Sequence, residues 1–489
     1  MDLNDTIAAV STPPGVGGIA VIRISGSDAL AITQRIWRGK ALTECDSHSA
    51  HLGDIVDNNG EVIDTAVATI FRAPRSFTGE DTVELSVHGS VWIQQEIINL
   101  LVDAGARVAS SGEFTRRAFV NGRLDLAQAE GVADMISASS RANLRLATRQ
   151  MKGDFSNKLN SIREEMVTLA SLLELELDFS EEDVEFADRS HLRLLSEALM
   201  TEIDRLASTF RAGRAIKNGV NVVIAGCPNA GKSTLLNRLV GEEKAIVSEI
   251  AGTTRDIIED VAEIDGVLFR FADTAGLRDS DDRIEAIGIE RAKKHIANAD
   301  IILCLIDGSD DLCSQMKYMK EIVDCHSEGI NGCESAYEQV VKEGAREPRK
   351  DSGSDFNPEI IYVISKSDLR DRKSEVTLTD ENISIDDPVI ISAKEGWGID
   401  VLCERLVSAA RKGLDLQSEF IVTNARHYES LKETHRSLAR FLTSLDAGLS
   451  VDLLSQDLRE SIHHLGTITG SITTDTLLQT IFSRFCIGK

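Results

Sequence analysis

Eight consecutive residues, GCPNAGKS from Gly226 to Ser233, carry the clearest chemical signal in the sequence and fit the pattern G-x-x-x-x-G-K-[ST]. They follow the strand-like stretch NVVIA and precede the helix-like stretch TLLNRLV, as a phosphate-binding loop requires. The glycines allow backbone N–H groups to curl around phosphates, and the following helix points its N-terminus at them. Lys232 would bridge the β- and γ-phosphates of a nucleoside triphosphate, and the Ser233 hydroxyl would ligate Mg²⁺.

Two further segments supply groups suited to the γ-phosphate, in the chain order of a GTP-hydrolysing protein. The loop AGTTRD at 251–256 offers Thr254, a second hydroxyl that can bind Mg²⁺. The strand-like LFRFAD ends at Asp273, which would hold Mg²⁺ through water, and the Gly276 amide would sense the γ-phosphate. These positions predict hydrolysis as well as binding.

Guanine selectivity is predicted by two loops that follow later strands. Asp368, in Ser365-Lys366-Ser367-Asp368, can accept hydrogen bonds from both guanine N1–H and N2–H, which adenine cannot offer. Ser392-Ala393 lies at the end of the stretch VIIS and resembles a loop that touches guanine O6. Ser365 stands where an asparagine is usual, so we expect a modest affinity with the base preference retained.

The group that activates water is less evident from the motifs. Leu277 occupies the position where many GTPases have a water-orienting glutamine, and a leucine cannot orient water. Hydrolysis must therefore recruit another group, for which Arg255 and the acids just downstream, Glu285 among them, are candidates. On residue type alone, Glu285 is more often a solvated acid than a catalytic one.

Composition limits what else the chain can be. With 489 residues it is too long for one core, and its length suggests about three domains. The formal net charge of −26 argues against a general affinity for nucleic acid or anionic membrane. A local basic contact remains open at Arg141, Arg145 and Arg149, which repeat every four residues, although a solvated, ion-paired helix face is the commoner meaning of such a stripe.

The N-terminus and the cysteines indicate a cytoplasmic protein. The first residues lack the basic start of a secretory signal, and no apolar run reaches the roughly 20 residues of a membrane helix. The eight cysteines include no CxxC pair, so we expect reduced thiols and no membrane association.

The pattern of apolar residues predicts an α/β plus all-α architecture. Residues 1–120 contain β-branched stretches such as IAVIRIS and TAVATIF, whereas residues 121–217 are helical in periodicity. Residues 218–413 alternate strands and helices, with a polar segment at about 311–358 that we interpret as a surface insertion. Helical periodicity returns in residues 414–489. We therefore predict one helical bundle into which a Ras-like P-loop domain, a mixed sheet with helices on both faces, is inserted.

Nearly end to end, the sequence resembles the MnmE (TrmE) family of tRNA modification GTPases. The shared segments include DTIAAVSTPPGVGGIAVIRISG, SFTGED, GEFTRRAFVNGRLDLAQAE, the nucleotide loops, GIERA and the final FCIGK. The departures are the 311–358 insertion and Ser365. The resemblance implies a homodimer that joins an FAD-dependent partner, MnmG (GidA), in a heterotetramer. Together they would form a 5-carboxymethylaminomethyl-type group on the wobble uridine (U34) of certain tRNAs.

For the nucleotide site, the resemblance implies G domains that dimerise across the nucleotides, with K⁺ in place of an arginine finger. It also places the family's catalytic glutamate at Glu285 and its switch arginine at Arg255. The expected K⁺ ligands are Asn229, Ser248, Ile250 and Thr253. Together with the loops above, it gives the full set of expected nucleotide contacts: Asn229, Ala230, Gly231, Lys232, Ser233, Thr234, Ser248, Glu249, Ile250, Ala251, Gly252, Thr253, Thr254, Asp273, Thr274, Ala275, Gly276, Ser365, Lys366, Ser367, Asp368, Ser392 and Ala393.

For the N-terminal domain, the resemblance implies dimerisation and a site for a one-carbon tetrahydrofolate, either 5-formyl- or 5,10-methylene-tetrahydrofolate. The matching residues are Arg23, Glu80, Arg123 and Lys489. Basic side chains suit the glutamate carboxylates of folate, and Glu80 could pair with the pterin donors. On residue chemistry alone, Arg23 is more often an ion-pairing residue of a strand.

Cys486 and the overall role each leave alternatives open. The resemblance places Cys486 beside the folate, where its thiol could join the chemistry, but an unremarkable tail thiol fits the sequence equally well. The nucleotide motifs alone would also fit a regulatory GTPase that binds RNA or the ribosome without covalent chemistry. A purely structural dimeric scaffold is poorly supported, because Lys232, Ser233 and Asp273 form an intact set.

Overall fold

The computed structural model describes residues 5–178, 189–227, 229–242, 260–273, 299–310, 315, 358–369, 379–380, 383–384, 387–412, 420–483, 485 and 488. Almost all of the segment interpreted as a surface insertion, 311–358, lies outside these residues. The described chain forms two compact units, and each is described by itself. The first contains residues 1–136, 147–204 and 429–489, and the second contains residues 137–146 and 205–428.

The first unit begins with a seven-stranded sheet in the order β3-β4-β5-β6-β2-β1-β7. Its strands are β1 Ile7–Val10, β2 Gly17–Ser25, β3 Trp37–Gly39, β4 Ser49–Val56, β5 Val62–Phe71, β6 Thr82–Gly89 and β7 Arg107–Val108. Neighbours are antiparallel except β1 and β7, which run parallel. Apolar residues alternate along β2 and β6, so Ile22, Ile24, Val83 and Leu85 are buried in the core.

The first unit also contains helices, which come from the parts of the chain before and after the second unit. They are α1 Ala29–Arg35, α2 Val91–Asp103, α3 Glu113–Val120, α4 Leu126–Ile136, α6 Asp154–Asp178, α7 Arg189–Ser208, α12 Val451–Thr469 and α13 Asp475–Phe482. Two more, α5 Arg141–Lys152 and α11 Ala425–Asp446, have residues in both units. Within the unit, α6 packs along α12, and α13 packs against α3. The helical periodicity of the sequence is thereby confirmed in both halves.

The second unit contains a six-stranded sheet in the order β15-β12-β11-β8-β10-β9, flanked by helices α8 Phe210–Asn218, α9 Lys232–Glu242 and α10 Ile399–Lys412. Its strands are β8 Val220–Gly226, β9 Asp260–Ile264, β10 Val267–Asp273, β11 Ile301–Asp307, β12 Glu359–Ser365 and β15 Val389–Ile390. A separate pair is β13 Thr379–Asp380 with β14 Ile383–Ser384. All neighbours in the larger sheet are parallel except β9 and β10.

The central strand β11 is buried along its whole length, which explains its unbroken apolar run IILCLI. Because parallel strands end at the same edge of a sheet, the loops after β8, β11, β12 and β15 meet at one edge. Within the described residues, no helix is both long enough and apolar enough to cross a membrane.

Candidate functional site

The phosphate-binding loop connects the end of β8 at Gly226 with the start of α9 at Lys232. A Cβ at Gly226 would lie 2.7 Å from the carbonyl oxygen of Leu305 on β11, so only glycine permits this approach of the two strands. Asn229 and Gly231 have φ angles of 64° and 93°, in the left-handed region. The local sequence therefore produces the tight curl that the motif predicts.

Lys232 lies inside this curl. Its ammonium group donates hydrogen bonds to the carbonyl oxygens of Gly226, at 2.8 Å, and Cys227, at 2.9 Å. The side chain is buried, which places a positive charge where the loop would surround phosphates. Burial raises the pKa of the Cys227 thiol, and the nearby Lys232 cation opposes that shift only in part. The thiol beside the loop is therefore neutral at physiological pH.

Ser365 ends β12 and contacts the phosphate-binding loop. Its buried hydroxyl donates to the carbonyl oxygen of Ala230 at 2.7 Å, with the carbonyl oxygen of Ile306 at 3.2 Å as an alternative acceptor. The side chain thus joins the base-binding loop to the phosphate-binding loop. A short serine meets this need because its Oγ is already within hydrogen-bond distance of Ala230.

Lys366 follows in the left-handed conformation, with φ of 54°, and its ammonium group lies 2.5 Å from a carboxylate oxygen of Asp307. Burial alone would raise the pKa of Asp307, but hydrogen bonds from Lys366 and Ser309 outweigh it and lower the pKa below its usual value. Asp307 therefore stays ionised and anchors Lys366 beside the end of β11.

Asp368 and Ser392 come together although 24 residues separate them. The buried Ser392 hydroxyl donates to Oδ1 of Asp368 at 2.7 Å. This hydrogen bond is the main cause of the lowered pKa of Asp368. The carboxylate is consequently anionic and fixed in direction, as a group that accepts two guanine N–H donors must be.

A second cluster of charged side chains lies in the first unit, around the turn formed by residues 78–80. Glu80 accepts a hydrogen bond from the Ser25 hydroxyl at 2.8 Å, and both of its carboxylate oxygens lie 3.3 Å from a guanidinium nitrogen of Arg117. Ser25 also hydrogen-bonds Thr78 at 2.7 Å. The end of β2 and helix α3 thereby fix the side chain of Glu80.

Arg23 is an ion-pairing residue, as its residue type alone suggests. Its guanidinium group lies 2.8 Å from Glu84 on the neighbouring strand and over the rings of Phe77 and Phe114, at 5.4 and 5.6 Å. Arg23 and Ser25 are two residues apart on β2 and face the same side of the sheet, so Arg23 and Glu80 share one corner of the unit.

The structure describes only some of the remaining residues that were predicted to bind folate. A Cβ at Gly79 would lie 3.2 Å from Cγ of Arg123, so Arg123 borders the same turn as Glu80. The carbonyl oxygen of Gly488 accepts a hydrogen bond from the Ser11 hydroxyl at 3.0 Å, which brings the end of the chain to the end of β1. Lys489 and Cys486 lie outside the described residues.

Comparison with known proteins decides the family. Two family models match, "GTP-binding protein TrmE N-terminus" over residues 6–123 and "MnmE helical domain" over residues 126–486. The sequence is 45% identical to the tRNA modification GTPase MnmE of Cytophaga hutchinsonii, covering 99% of this chain and 98% of that protein. The chain belongs to the MnmE family.

Other MnmE proteins are similar over the same length. The MnmE of Bacteroides fragilis is 46% identical over 492 residues, which are 99% of this chain and all of that protein. Among solved structures, Aquifex aeolicus Era matches 44% of this chain and 66% of its own at 26% identity, with a TM-score of only 0.26. Membership of the MnmE family makes the chain a GTP hydrolase, as its nucleotide motifs predict.

Several predicted residues of this MnmE-family site lie outside the described residues: Ser248, Glu249, Ile250, Ala251, Gly252, Thr253, Thr254, Arg255, Thr274, Ala275, Gly276 and Glu285. Asp273 is described in its backbone alone, as the last residue of β10 opposite Ile224 of β8. Sequence reasoning missed Asp5, Arg107, Glu113 and Arg117, which form a charge cluster beside Glu80 with Glu113 and Arg117 buried. The i,i+4 spacing of Glu113 and Arg117 was a signal for it.

Proposed function

We propose that this chain acts in tRNA modification in the cytoplasm, where it hydrolyses GTP while a partner complex forms a 5-carboxymethylaminomethyl-type group on the wobble uridine of certain tRNAs. The partner would be the FAD-dependent protein MnmG, joined in a heterotetramer. The observation that carries this proposal is the full-length similarity to proteins named tRNA modification GTPases. Neither the nucleotide loops nor the charged turn at 78–80 can perform the group transfer alone.

The proposed roles at the nucleotide follow from the loops described above. Lys232 would offset charge on the β- and γ-phosphates, and Ser233 with Thr254 would ligate Mg²⁺. Asp368 would select guanine, supported by Ser392 at 2.7 Å. Asp273 would hold Mg²⁺ through water.

For hydrolysis we propose that a K⁺ ion, bound by Asn229, Ser248, Ile250 and Thr253 when two G domains meet, takes the place of an arginine finger. Leu277 supports the need for another group because it cannot orient water. Glu285 would position the water, with Arg255 acting on phosphate or on the order of its own loop.

For the first unit we propose a one-carbon tetrahydrofolate, 5-formyl- or 5,10-methylene-, bound by Arg23, Glu80, Arg123 and Lys489. The proposal is supported by the turn at 78–80, which Glu80 and Arg123 both border. Cys486, two residues before Gly488, would lie near this ligand and could take part in the chemistry.

We also propose that the first unit dimerises through the face of its sheet that carries Leu52. This side chain is 72% exposed and lies directly opposite Val67, itself 37% exposed, on the neighbouring strand. Adjacent exposed apolar residues on a sheet favour contact with another protein surface.

We further propose a division of the chain into three domains. The folate domain would be residues 1–120, and the G domain would be residues 218–413. The helical domain would combine residues 121–217 with residues 414–489.

The test is analysis of tRNA nucleosides by mass spectrometry in cells that lack the protein. We expect the modified wobble uridine to disappear and to return with the wild-type chain but not with Lys232→Ala. Lys158→Ala, which removes an ion pair with Glu202 in the first unit, is the matched control and should restore modification. Unchanged wobble nucleosides in the deletion strain would instead favour a regulatory GTPase.

A further inference from the structure

Arg117 is an arginine on α3 whose side chain is wholly buried. Its guanidinium group contacts three carboxylates: Asp5, Glu80 and Glu113. One terminal nitrogen donates both to the Asp5 carbonyl oxygen, at 2.6 Å, and to Glu80, at 3.3 Å. A buried arginine is stabilised only when its charge is paired in this way, so these contacts fix the position of the guanidinium group.

The two other acids that contact Arg117 are themselves held by Arg107. This arginine lies 2.5 Å from Glu113 and 2.6 Å from Asp5. Burial would raise the pKa of Glu113, but hydrogen bonds from Arg107 and Ser110 lower it to about 2. Arg117 therefore contacts carboxylates whose own positions are fixed. These contacts prevent the guanidinium group from moving with Glu80 if the Glu80 side chain changes position.

Glu80 is the member of the cluster that is also one of the proposed ligand-binding residues. Its carboxylate is held from one side by the Ser25 hydroxyl, at 2.8 Å, and from the other by Arg117. The Glu80 side chain keeps 17% of its surface exposed, whereas that of Arg117 has none. Arg117 can thus act on a ligand only through a neighbouring side chain, and Glu80 is the neighbour that belongs to the proposed site.

We propose that Arg117 is a positioning residue for the pterin ring: it fixes the Glu80 carboxylate so that this group accepts hydrogen bonds from the ring's N–H and amino donors. This inference rests on the proposed folate binding and extends it from contact to specificity. A carboxylate held in one direction discriminates between a ring that offers the amino donor and one that does not, because an unmet buried acceptor is costly.

The experiment measures the binding of two ligands to the full-length protein by titration calorimetry: 5-formyl-tetrahydrofolate, and an analogue with a methyl group in place of the pterin 2-amino group. We expect the wild-type chain to prefer the amino ligand by about tenfold or more. Arg117→Met should reduce that preference to about twofold by weakening the amino ligand, with the methyl analogue bound nearly as before. Arg117→Lys should recover part of it, because it restores a cation.

Two companion variants keep the test decisive. Ser25→Ala removes the other hydrogen bond to Glu80 without leaving a buried charge, so it should lower the preference even if Arg117→Met does not fold. Arg38→Met removes an exposed arginine that pairs with Asp54 and should leave the preference unchanged.

If the role of Arg117 were purely structural, Arg117→Met would weaken the binding of both ligands by the same factor. That result would overturn the inference. Loss of preference in Glu80→Gln, combined with wild-type preference in the Arg117 and Ser25 variants, would also overturn it while leaving folate binding intact. If the wild-type chain bound neither ligand, the folate proposal would fail and this inference with it.

Discussion

The hydroxyl of Ser365 lies 2.7 Å from the carbonyl oxygen of Ala230, so one short side chain connects the strand that precedes the guanine-binding residues to the loop that surrounds the phosphates. The two residues are 135 positions apart in the sequence. The unusual serine in this motif therefore has a defined contact, and that contact is with the backbone of the phosphate-binding loop.

Replacing Ser365 by alanine should weaken the binding of both GTP and GDP by a similar factor. The change leaves the buried Ala230 carbonyl oxygen without this donor, which costs about 1 kcal/mol, or roughly fivefold in affinity. Titrations with fluorescent analogues of GTP and GDP would measure both dissociation constants. Discrimination between guanine and xanthine nucleotides should not change, and a loss of that discrimination would mean that Ser365 contacts the base.

Asp368→Asn should shift the base preference from guanine to xanthine. The carboxylate accepts from N1–H and N2–H of guanine, whereas an amide can donate to the C2 oxygen of xanthine. We expect GTP to bind at least about tenfold more weakly and XTP to bind more tightly. Competition between the two nucleotides gives the ratio, and an unaltered ratio would place the base elsewhere. Asp387→Asn, on an exposed ion pair with Arg405, is the matched control.

Potassium should accelerate GTP hydrolysis relative to sodium at equal ionic strength, because the proposed ion offsets charge that develops between the β- and γ-phosphates. Asn229→Ala should reduce the difference to nearly nothing. The rate of phosphate release at saturating GTP, measured in each salt, would give this difference. Equal rates in both salts for the wild-type chain would contradict the proposed ion, whereas a K⁺ effect that survives in Asn229→Ala would remove only this ligand.

Glu113 should make the first unit sensitive to acid. Its pKa in the folded chain is lowered to about 2 from 4.5, so its contribution to stability is fully present above pH 4.5 and is lost as the pH falls toward 2. The melting temperature of the wild-type chain should fall across this range. Glu113→Gln should lower stability by about 3 kcal/mol near neutral pH, because Arg107 and Arg117 lose a buried partner.

The same variant should flatten the dependence on acid between pH 4.5 and 2. Thermal melts of both chains at several pH values would show the difference. A variant that followed the wild-type pH profile would mean that other carboxylates cause the acid sensitivity. Glu433→Gln, which alters an exposed pair with Arg436, serves as the control and should keep the wild-type profile.

The phosphate-binding loop could be predicted from sequence because its geometry is local. The described residues of this loop, 226–227 and 229–233, adopt the predicted curl between a strand and a helix, and Asn229 and Gly231 take the left-handed conformations that it needs. The alternation of strand-like and helical segments around it also predicted the α/β class of the surrounding sheet. Local propensity was sufficient in these regions.

The charged cluster beside Glu80 could be predicted only as far as the Glu113–Arg117 pair, because its other members come from distant parts of the chain. Asp5 and Arg117 are 112 residues apart, and Arg23 reaches Glu84 only through the antiparallel pairing of β2 with β6. No periodicity indicates which of several arginines will be buried. The contact of Ser365 with Ala230 was hidden for the same reason, and its residue type suggested only a shorter side chain.

The hydrogen bond from Ser11 to Gly488 spans 477 residues, so the first and last parts of the same unit are made at very different times. At a synthesis rate of about 5–20 residues per second, a ribosome needs roughly half a minute or more to pass from one to the other. During translation the sheet of the first unit exists before the tail that packs against it. A nascent chain must therefore keep the end of β1 uncovered by the tail until the second unit has been synthesised.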